Sequence, residues 1–432
     1  MTRRRVVIVA AVVMAIVSAA CSKGGDKSAK GSAAIKSAAP DISLASGAGH
    51  GIKIGLVVSG SGPGADVRDL AGGAYVAAYR LNGATSGHDR VELLVSDDNG
   101  TPEGATAAMN DLANKGAVGV VYASTGEQVL AGVATAAGLG LPVVLPYADD
   151  PRIASQGATA ILAAPTIDQV AGELAAHVRK TGYGKVALLR QAGPYGDAGK
   201  AALIAAGIAV VLDRPFAAGD PMADVAAATK AAAPDAVVVW AEAGPALAMA
   251  DALSAAGVDA ALLFGDRVAV PAFGHGLASA LAASVGDGVL SVGPWAGPDT
   301  PTAAVDAFYL ARDRAVADGG VTADLSVADF RSHDAVLAIA TAAASGGNRG
   351  DVLDGLRGLA PGKVSGTAGV PLDFRAPHAL SDNDVALLSY STIDDGSGRY
   401  PAPATAGGHW LAVAGTYTPP EALKGLDDPY GG

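Results

Sequence analysis

The stretch "IKIGLVVSGSGPGAD" (52–66) decides the fold class of this 432-residue chain. An apolar run leads into a glycine-rich turn at 60–65, which matches the G-x-G-x-x-G/A pattern of dinucleotide-binding turns. Those folds place a ribose-binding acid about 20 residues beyond the turn, but the next acids that end a strand here are Asp97 and Asp98. Pro63 also removes a backbone N–H that a phosphate would need. We therefore interpret the turn as a loop after a first strand.

Short β-branched runs alternate with alanine-rich helical segments along the chain. Strands are predicted at 52–58, 91–98, 118–124, 141–147, 158–164, 185–191, 208–214, 235–243 and 260–266, with helices at 70–82, 104–116, 197–207 and 246–257. This alternation predicts an α/β fold of two similar lobes, each a doubly wound parallel sheet. Ligands of such sheets bind at the carboxyl ends of strands where the strand order reverses, so the residues directly after each strand are the candidate site.

The first 20 residues are predicted to be a signal peptide. Basic residues at 3–5 precede an apolar run at 6–20, which ends in small residues directly before Cys21. The alternative is a membrane anchor, but a span needs about 20 apolar residues and this run is shorter. The pattern favours export of the protein from the cytoplasm.

Cys21 is the single cysteine of the chain, so it has no partner for an internal disulfide. The residues before it resemble the bacterial lipobox, which implies diacylation of Cys21 and anchoring on the extracytoplasmic face of the cell membrane. Residues 22–50 are rich in Ser, Gly, Ala and Lys without an apolar period. We predict that 21–50 form a flexible tether.

Composition and motifs exclude several classes of function. The formal net charge of −12 makes nucleic acids and anionic lipid surfaces improbable partners. The seven histidines show no metal-ligand spacing, and no G-x-S-x-G nucleophile motif occurs. Paired acids such as Asp97 with Asp98 are more often turn formers or hydrogen-bond acceptors than catalysts. We expect no enzyme activity, no cofactor and no metal.

The order of several segments resembles a known family. They are "IKIGLVVSGSGPGAD" (52–66), "LLVSDDNGTPEGATAAMNDLANKG" (93–116), "GLPVVLPYADDPRI" (140–153), "KVALLRQAGPYGDAGKAAL" (185–203) and "SHDAVLAIATAA" (332–343). They resemble the type I periplasmic solute-binding proteins of ABC transporters, in the branched-chain amino-acid group. The resemblance implies a two-lobe periplasmic binding protein type I fold with the ligand in a cleft between the lobes.

The strand ends and the resemblance together supply candidate ligand-binding residues. "STGE" (124–127) is predicted to be a capping box at a helix N-terminus, with Ser124 as the N-cap and Glu127 reaching back. Such an end suits an α-carboxylate, although helix capping alone explains it equally well. The resemblance implies that Ser124 and Thr125 hold that carboxylate. The full predicted set is Ser61, Ser124, Thr125, Tyr147, Asp149, Tyr195, Glu242 and Asp266.

Three further observations bear on the charge of the ligand. The resemblance implies that Tyr195 packs over the ligand and that Asp266 pairs with its ammonium, against the simpler interpretations of a loop aromatic and a turn acid. Asp149 and Glu242 depart from the residues usual in the leucine binders, which favours a polar ligand and allows a cationic one. Arg190 and Arg68 are candidates to neutralise these acids.

We predict that the chain crosses between the lobes more than once. By the resemblance, lobe 1 comprises 51–164 and 296–368, lobe 2 comprises 165–295 and 369–432, and the crossings lie at Pro165, Trp295 and 364–371. The Gly/Pro-rich C-terminal segment 394–432 is expected to be irregular. The implied function is capture of an amino acid or related small polar solute for a membrane ABC permease. The alternative is a sensor with the same fold that feeds a receptor or signalling partner.

Overall fold

The computed structural model of the chain describes residues 51–60, 67–83, 91–148, 150, 152–217, 219–268, 289–293, 315, 330–343, 347–360, 372–382, 385–391 and 409–412. The predictions for the signal peptide, Cys21, the tether, Trp295 and 364–371 lie outside these residues, as does the predicted role of the Arg68 side chain, because only the backbone is described at that position. Within them, no helix is both long enough and apolar enough to cross a bilayer.

The first sheet is parallel throughout and is built from the N-terminal part of the chain. Its strands are β1 (Ile52–Val58), β2 (Val91–Asp97), β3 (Gly119–Ala123), β4 (Val143–Leu145) and β5 (Ala160–Leu162), in the order β2-β1-β3-β4-β5. The helices between them are α1 (Val67–Gly83), α2 (Pro102–Asn114) and α3 (Gln128–Gly138). The strand order reverses between β1 and β3, which is where the switch-point rule places a ligand.

The second sheet repeats this order and then extends it. Its strands are β6 (Val186–Gln191), β7 (Val210–Phe216), β8 (Ala236–Trp240), β9 (Ala261–Phe264), β10 (Val289–Gly293), β11 (Ala386–Ser391) and β12 (His409–Ala412). The order is β12-β11-β10-β9-β8-β6-β7, so a second switch point lies between β6 and β8. Helices α4 (Ile167–Thr181), α5 (Pro194–Ala205), α6 (Met222–Ala232) and α7 (Ala243–Ala256) accompany it.

Two predictions about the second sheet are wrong in detail. The sheet is parallel only from β7 to β10, because β11 and β12 join it antiparallel. The C-terminal segment also contributes the strand β12, where an irregular segment was expected. An antiparallel pair needs no crossover helix, so the helix–strand alternation that predicted β1 to β9 gives no signal for β11 and β12. The parallel strand β10 was not predicted either.

Each sheet is covered on both faces, as the alternation predicts. Alternate residues of β1 point to opposite cores: Ile54, Leu56 and Val58 face α1, while Val57 faces α2 and α3. Two later helices, α8 (Phe330–Ala343) and α9 (Arg349–Gly358), complete the α1 face of the first sheet. These two helices follow the strands β6 to β10 of the second sheet in the chain, yet they pack on the first sheet.

Residues 372–380 also lie against the first lobe, whereas the predicted boundary assigned 369–432 to the second. The backbone N–H of Leu162 donates to Pro377 O at 2.8 Å, and Ala379 N–H donates to Leu162 O at 2.7 Å. Phe374 and Leu380 are buried in the first-lobe core. The physical reason is that β5 is an edge strand, and this segment pairs its exposed backbone groups. The other lobe boundaries stay a prediction.

Arg349 joins three chain segments of the first lobe at the start of α9. Its guanidinium donates to Ala117 O at 3.0 Å, to Ala113 O at the end of α2 and to Leu139 O after α3. The last carbonyls of a helix have no partner within the helix, so one cation supplies donors to the ends of two helices.

We expect Arg349→Met to lower the free energy of unfolding by about 2–3 kcal/mol, because it leaves partly buried carbonyl groups without a charged donor. Urea denaturation of both proteins measures this difference. Arg375→Met is the matched control, because the Arg375 side chain is 57% exposed and pairs with its near neighbour Asp373. Equal losses in the two variants would contradict the clamping role of Arg349.

Candidate ligand cleft

A cleft of about 400 Å³ opens where the carboxyl ends of the two sheets face each other. Its first-lobe wall follows β3 and β4, and its second-lobe wall follows β6, β8 and β9. The lining residues are Gly126, Glu127, Ala148, Asp150, Arg152, Ile153, Ile167, Gln191, Ala192, Gly193, Pro194, Tyr195, Gly196, Ala198, Glu242 and Arg267. Both switch points therefore open onto one cavity of a size that suits a small solute.

A buried polar network supports the first-lobe wall from below. The Asp98 carboxylate, fully buried after β2, accepts hydrogen bonds from Ser59 Oγ at 2.6 Å and from Tyr122 OH at 3.0 Å. Ser59 Oγ lies 2.6 Å from Ser124 Oγ, and Gln128 Nε2 donates to both hydroxyls at 3.2 Å. Burial raises the pKa of Tyr122, as do the charge and hydrogen bond of Asp98. Tyr122 therefore remains an O–H donor to the carboxylate.

The predicted capping box at 124–127 is wrong. Helix α3 begins at Gln128, and its N-cap is Glu127, which makes no side-chain capping bond. The hydroxyl of Ser124 is instead drawn into the buried network, and the Gln128 amide donates to Thr125 O at 2.5 Å. Ser59, which directly follows β1, bonds to the Ser124 hydroxyl that the capping box would have used. The local sequence pattern at 124–127 does not reveal this distant partner.

Ion pairs line the outer part of the first-lobe wall. Arg152 donates to both oxygens of Asp150, at 2.5–3.0 Å, and to Glu127 Oε1 at 2.6 Å. Partial burial would raise the pKa of Asp150, but the hydrogen bonds and charge of Arg152 outweigh it, with help from the charge of Arg267. The pKa of Asp150 is therefore below its usual value, and its carboxylate stays ionised at neutral pH.

The second-lobe wall presents a stacked cation. The guanidinium of Arg267 lies over the Tyr195 ring, 3.6 Å from its centroid, and its Nη1 donates to Glu242 Oε1. The Tyr195 ring packs against Trp240, with 5.7 Å between centroids and a 43° tilt. Trp240 is fully buried in the second lobe. The aromatic pair therefore forms a firm platform beneath the arginine.

The two walls interact with each other across the cleft. Thr125 Oγ1 of the first lobe lies 3.5 Å from Glu242 Oε2 of the second. The influence of Arg267 on the pKa of Asp150 is a second link between the lobes. Polar groups from both strand-end sets are thus close enough to hold one small molecule together.

The structure brings some predicted site residues to the cleft and places others elsewhere. Tyr195 and Glu242 line it, and Thr125 reaches Glu242 from the opposite wall. Tyr147 is buried in the first-lobe core, where its OH donates to Leu70 O at 3.0 Å. Asp266 is 1% exposed and is not among the lining residues. Ser61 and Asp149 lie outside the described residues.

Arg190 does not neutralise the cleft acids, contrary to expectation. Its guanidinium pairs with Asp213 at 2.8 Å and with Asp197 at 2.5 Å, and Lys200 also pairs with Asp213. The cations that meet the cleft acids are Arg152 and Arg267, which the sequence reasoning missed. Each comes within three residues of a predicted site acid, so proximity to those acids was the available signal.

Comparisons with known proteins agree with this architecture. A family profile described as periplasmic binding protein matches residues 51–396. Among curated protein sequences, none matches the chain. Solved structures that are similar include LivJ from Streptococcus pneumoniae, a branched-chain amino acid transporter substrate binding protein in complex with isoleucine. That structure is 20% identical, covers 84% of this chain and 100% of its own, and has a TM-score of 0.66.

Two further structures show the same fold. An extracellular ligand-binding receptor from Rhodopseudomonas palustris is 19% identical, with 84% of this chain and 99% of its own covered and a TM-score of 0.67. The leucine binding protein LivK from Thermotoga maritima is 16% identical, with 80% and 96% covered and a TM-score of 0.63. The two-lobe fold inferred from strand–helix alternation is confirmed. Because the family profile matches most of the chain, residues 51–396, this protein belongs to the periplasmic binding protein family.

Proposed function

We propose that this protein captures an amino acid or a related small polar solute in the cleft between its lobes and delivers it to an ABC permease. The observation that carries the proposal is the convergence of polar strand-end groups from both lobes, with Thr125 and Glu242 only 3.5 Å apart. A solute between such walls contacts both lobes at once, so its binding favours closure of the lobes about their hinge.

The proposed ligand contacts divide between the walls. In this proposal Ser61, Ser124, Thr125 and Asp149 belong to the first-lobe side, and Tyr195, Glu242 and Asp266 to the second-lobe side. Ser124 and Asp266 are buried and do not line the cleft, so their contact with a solute requires the walls to rearrange around it. Tyr147 supports the first side from the core through its bond to Leu70. LivJ, which shares the fold, holds isoleucine in its structure, and this supports an amino acid as the class of ligand.

The proposed location is the extracytoplasmic face of the cell membrane, with lipid on Cys21 as the anchor. The family consists of periplasmic binding proteins, and the sequence before Cys21 supports export. The tether at 21–50 gives the lobes reach from the membrane to a permease.

A ligand screen followed by small-angle scattering tests the proposal. Amino acids, amides, polyamines and small sugars are added singly while thermal unfolding is followed. A true ligand raises the stability by mass action, by about 2.7 kcal/mol at a hundredfold excess over Kd. Scattering with and without the best ligand should then show compaction. A saturating ligand that leaves the radius of gyration unchanged would contradict closure around the solute.

Asp266→Asn is expected to fold normally and to bind an amine-bearing ligand roughly thirtyfold more weakly, because the ligand ammonium loses its charged partner. Calorimetry with the best ligand from the screen measures the change. Asp220→Asn serves as the control, because the Asp220 carboxylate accepts a local backbone bond from Ala217, in the loop after β7. Unchanged affinity would make Asp266 a structural residue of the second lobe.

A further inference from the structure

We propose that Arg267 is a specificity-determining residue of the cleft. Its guanidinium occupies a cation-binding position made by Tyr195 and Glu242, so the protein accepts zwitterionic solutes with neutral or anionic side chains and rejects solutes with a second cationic group. The inference rests on the proposed function, because it narrows the charge class of the solute captured in the same cleft.

The surroundings of Arg267 have the composition of a binding site for an organic cation. An aromatic face and a carboxylate on the same wall are the groups that hold ammonium and guanidinium ligands in proteins. Here the face of Tyr195 lies 3.6 Å from the guanidinium carbon, and Glu242 accepts from Nη1. The Arg267 side chain is only 7% exposed. The chain's own cation thus takes the position that a ligand cation would need.

The two partners of the Arg267 guanidinium, Tyr195 and Glu242, are held in place by contacts that do not involve the arginine. Tyr195 is the second residue of α5, and its ring leans on Trp240, which is buried at the end of β8. Glu242 is the N-cap of α7, and its backbone N–H donates to Gln191 Oε1 at 3.0 Å. Because secondary-structure ends fix both partners, removal of the arginine side chain should leave an aromatic–carboxylate site behind.

The first-lobe wall leads to the same conclusion about charge. Glu127, Asp150 and Glu242 are the carboxylates that line the described part of the cleft, and each contacts an arginine. An incoming cationic side chain would therefore have to displace an existing ion pair. The acidic residues by themselves allow a cationic ligand. Because Arg152 and Arg267 already pair with the cleft carboxylates, the cleft favours a ligand without an extra positive charge.

The test removes the Arg267 side chain and asks whether a small cation binds between Tyr195 and Glu242 in its place. Full-length Arg267→Ala, purified in detergent, is titrated with methylguanidinium chloride at millimolar concentration, with potassium chloride at matched ionic strength as the blank. We expect the Tm of the variant to rise by about 2–4 °C at tenfold over Kd, while the wild type shows no rise above the blank. Arg267→Ala combined with Glu242→Gln should lose the rise.

Arg375→Ala controls for a general effect of losing an arginine, since Arg375 lies outside the cleft lining and pairs with Asp373. If circular dichroism shows that Arg267→Ala is unfolded, Arg267→Gln replaces it with a neutral side chain of closer size. The wild type is also titrated with putrescine and agmatine, and no binding is expected. Binding of either solute by the wild type, or equal methylguanidinium shifts in variant and wild type, would overturn the proposal.

The methylguanidinium titration can be interpreted even if the ligand screen does not identify the natural solute. Methylguanidinium reports on the vacated position alone, so a rise in the variant without any hit in the ligand screen would support the role of Arg267 and count against the proposed function. An amino-acid hit without a methylguanidinium rise would support the proposed function and reject the role of Arg267.

Discussion

Gly196→Ala is expected to destabilise the second lobe by about 3 kcal/mol or more and to abolish ligand binding. A β-carbon at position 196 would lie 1.8 Å from the carbonyl oxygen of Gln191 and 3.0 Å from its carbonyl carbon. These are backbone atoms of β6, so the overlap is relieved only by moving α5 away from the sheet, and overpacking of this kind costs 1–3 kcal/mol or more.

The damage should reach the cleft because the shifted residues line it. Gln191 ends β6, Tyr195 and Gly196 lie in the first turn of α5, and all three line the second-lobe wall. Thermal unfolding and titration with the best ligand of the screen measure the two effects separately.

Gly172→Ala is the matched control, because Gly172 lies inside α4 with no atom within 4 Å of an added β-carbon. That variant should gain about 0.5–1 kcal/mol, since alanine favours a helix interior over glycine. A Gly196→Ala protein as stable as the wild type would contradict the close packing of α5 on the backbone of β6.

Asp98→Ala is expected to lower the free energy of unfolding by about 3–5 kcal/mol, because it removes the acceptor for two side-chain donors in a buried network. Ser59 Oγ and Tyr122 OH both donate to this carboxylate, and the backbone N–H of Gly100 donates to it as well. Ligand affinity should also fall, since the network holds Ser124 beside the first-lobe wall. Urea denaturation gives the stability change and calorimetry gives the affinity.

Two comparisons isolate the network from a general loss of charge. Asp111→Ala removes an exposed acid of α2 that pairs with Lys115, the residue directly after the helix, and exposed pairs of this type contribute about 0.3–0.5 kcal/mol. Asp98→Asn keeps one acceptor oxygen and should fall between the two alanine variants. An Asp98→Ala protein that loses no more than Asp111→Ala would show that the network does not support the wall.

The fold class follows from local patterns because each element carries its own signal. The runs at 52–58 and 235–243 are too apolar and β-branched for a surface, and the alanine-rich segments between such runs have helical length. Parallel sheets covered on both faces are the arrangement that buries both kinds of element. The position of the cleft also followed, since parallel strands end at the same edge, and this rule pointed to Thr125, Tyr195 and Glu242. The antiparallel strands β11 and β12 had no such local signal.

Amino-acid order alone thus determined the α/β class, the two-lobe repeat and the edge of each sheet that faces the cleft, because hydrophobic periodicity and strand–helix alternation are properties of neighbouring residues. Only the tertiary structure decided the chemistry of that edge. It drew Ser124 to Ser59 and Asp98, although 65 residues separate the two serines and 39 separate Ser59 from Asp98. It also paired Arg190 with Asp213 and set Arg267 between Tyr195 and Glu242. A charged side chain bonds to whichever partner the packing of distant strands brings within about 3 Å, and the spacing of residues along the chain does not specify that distance.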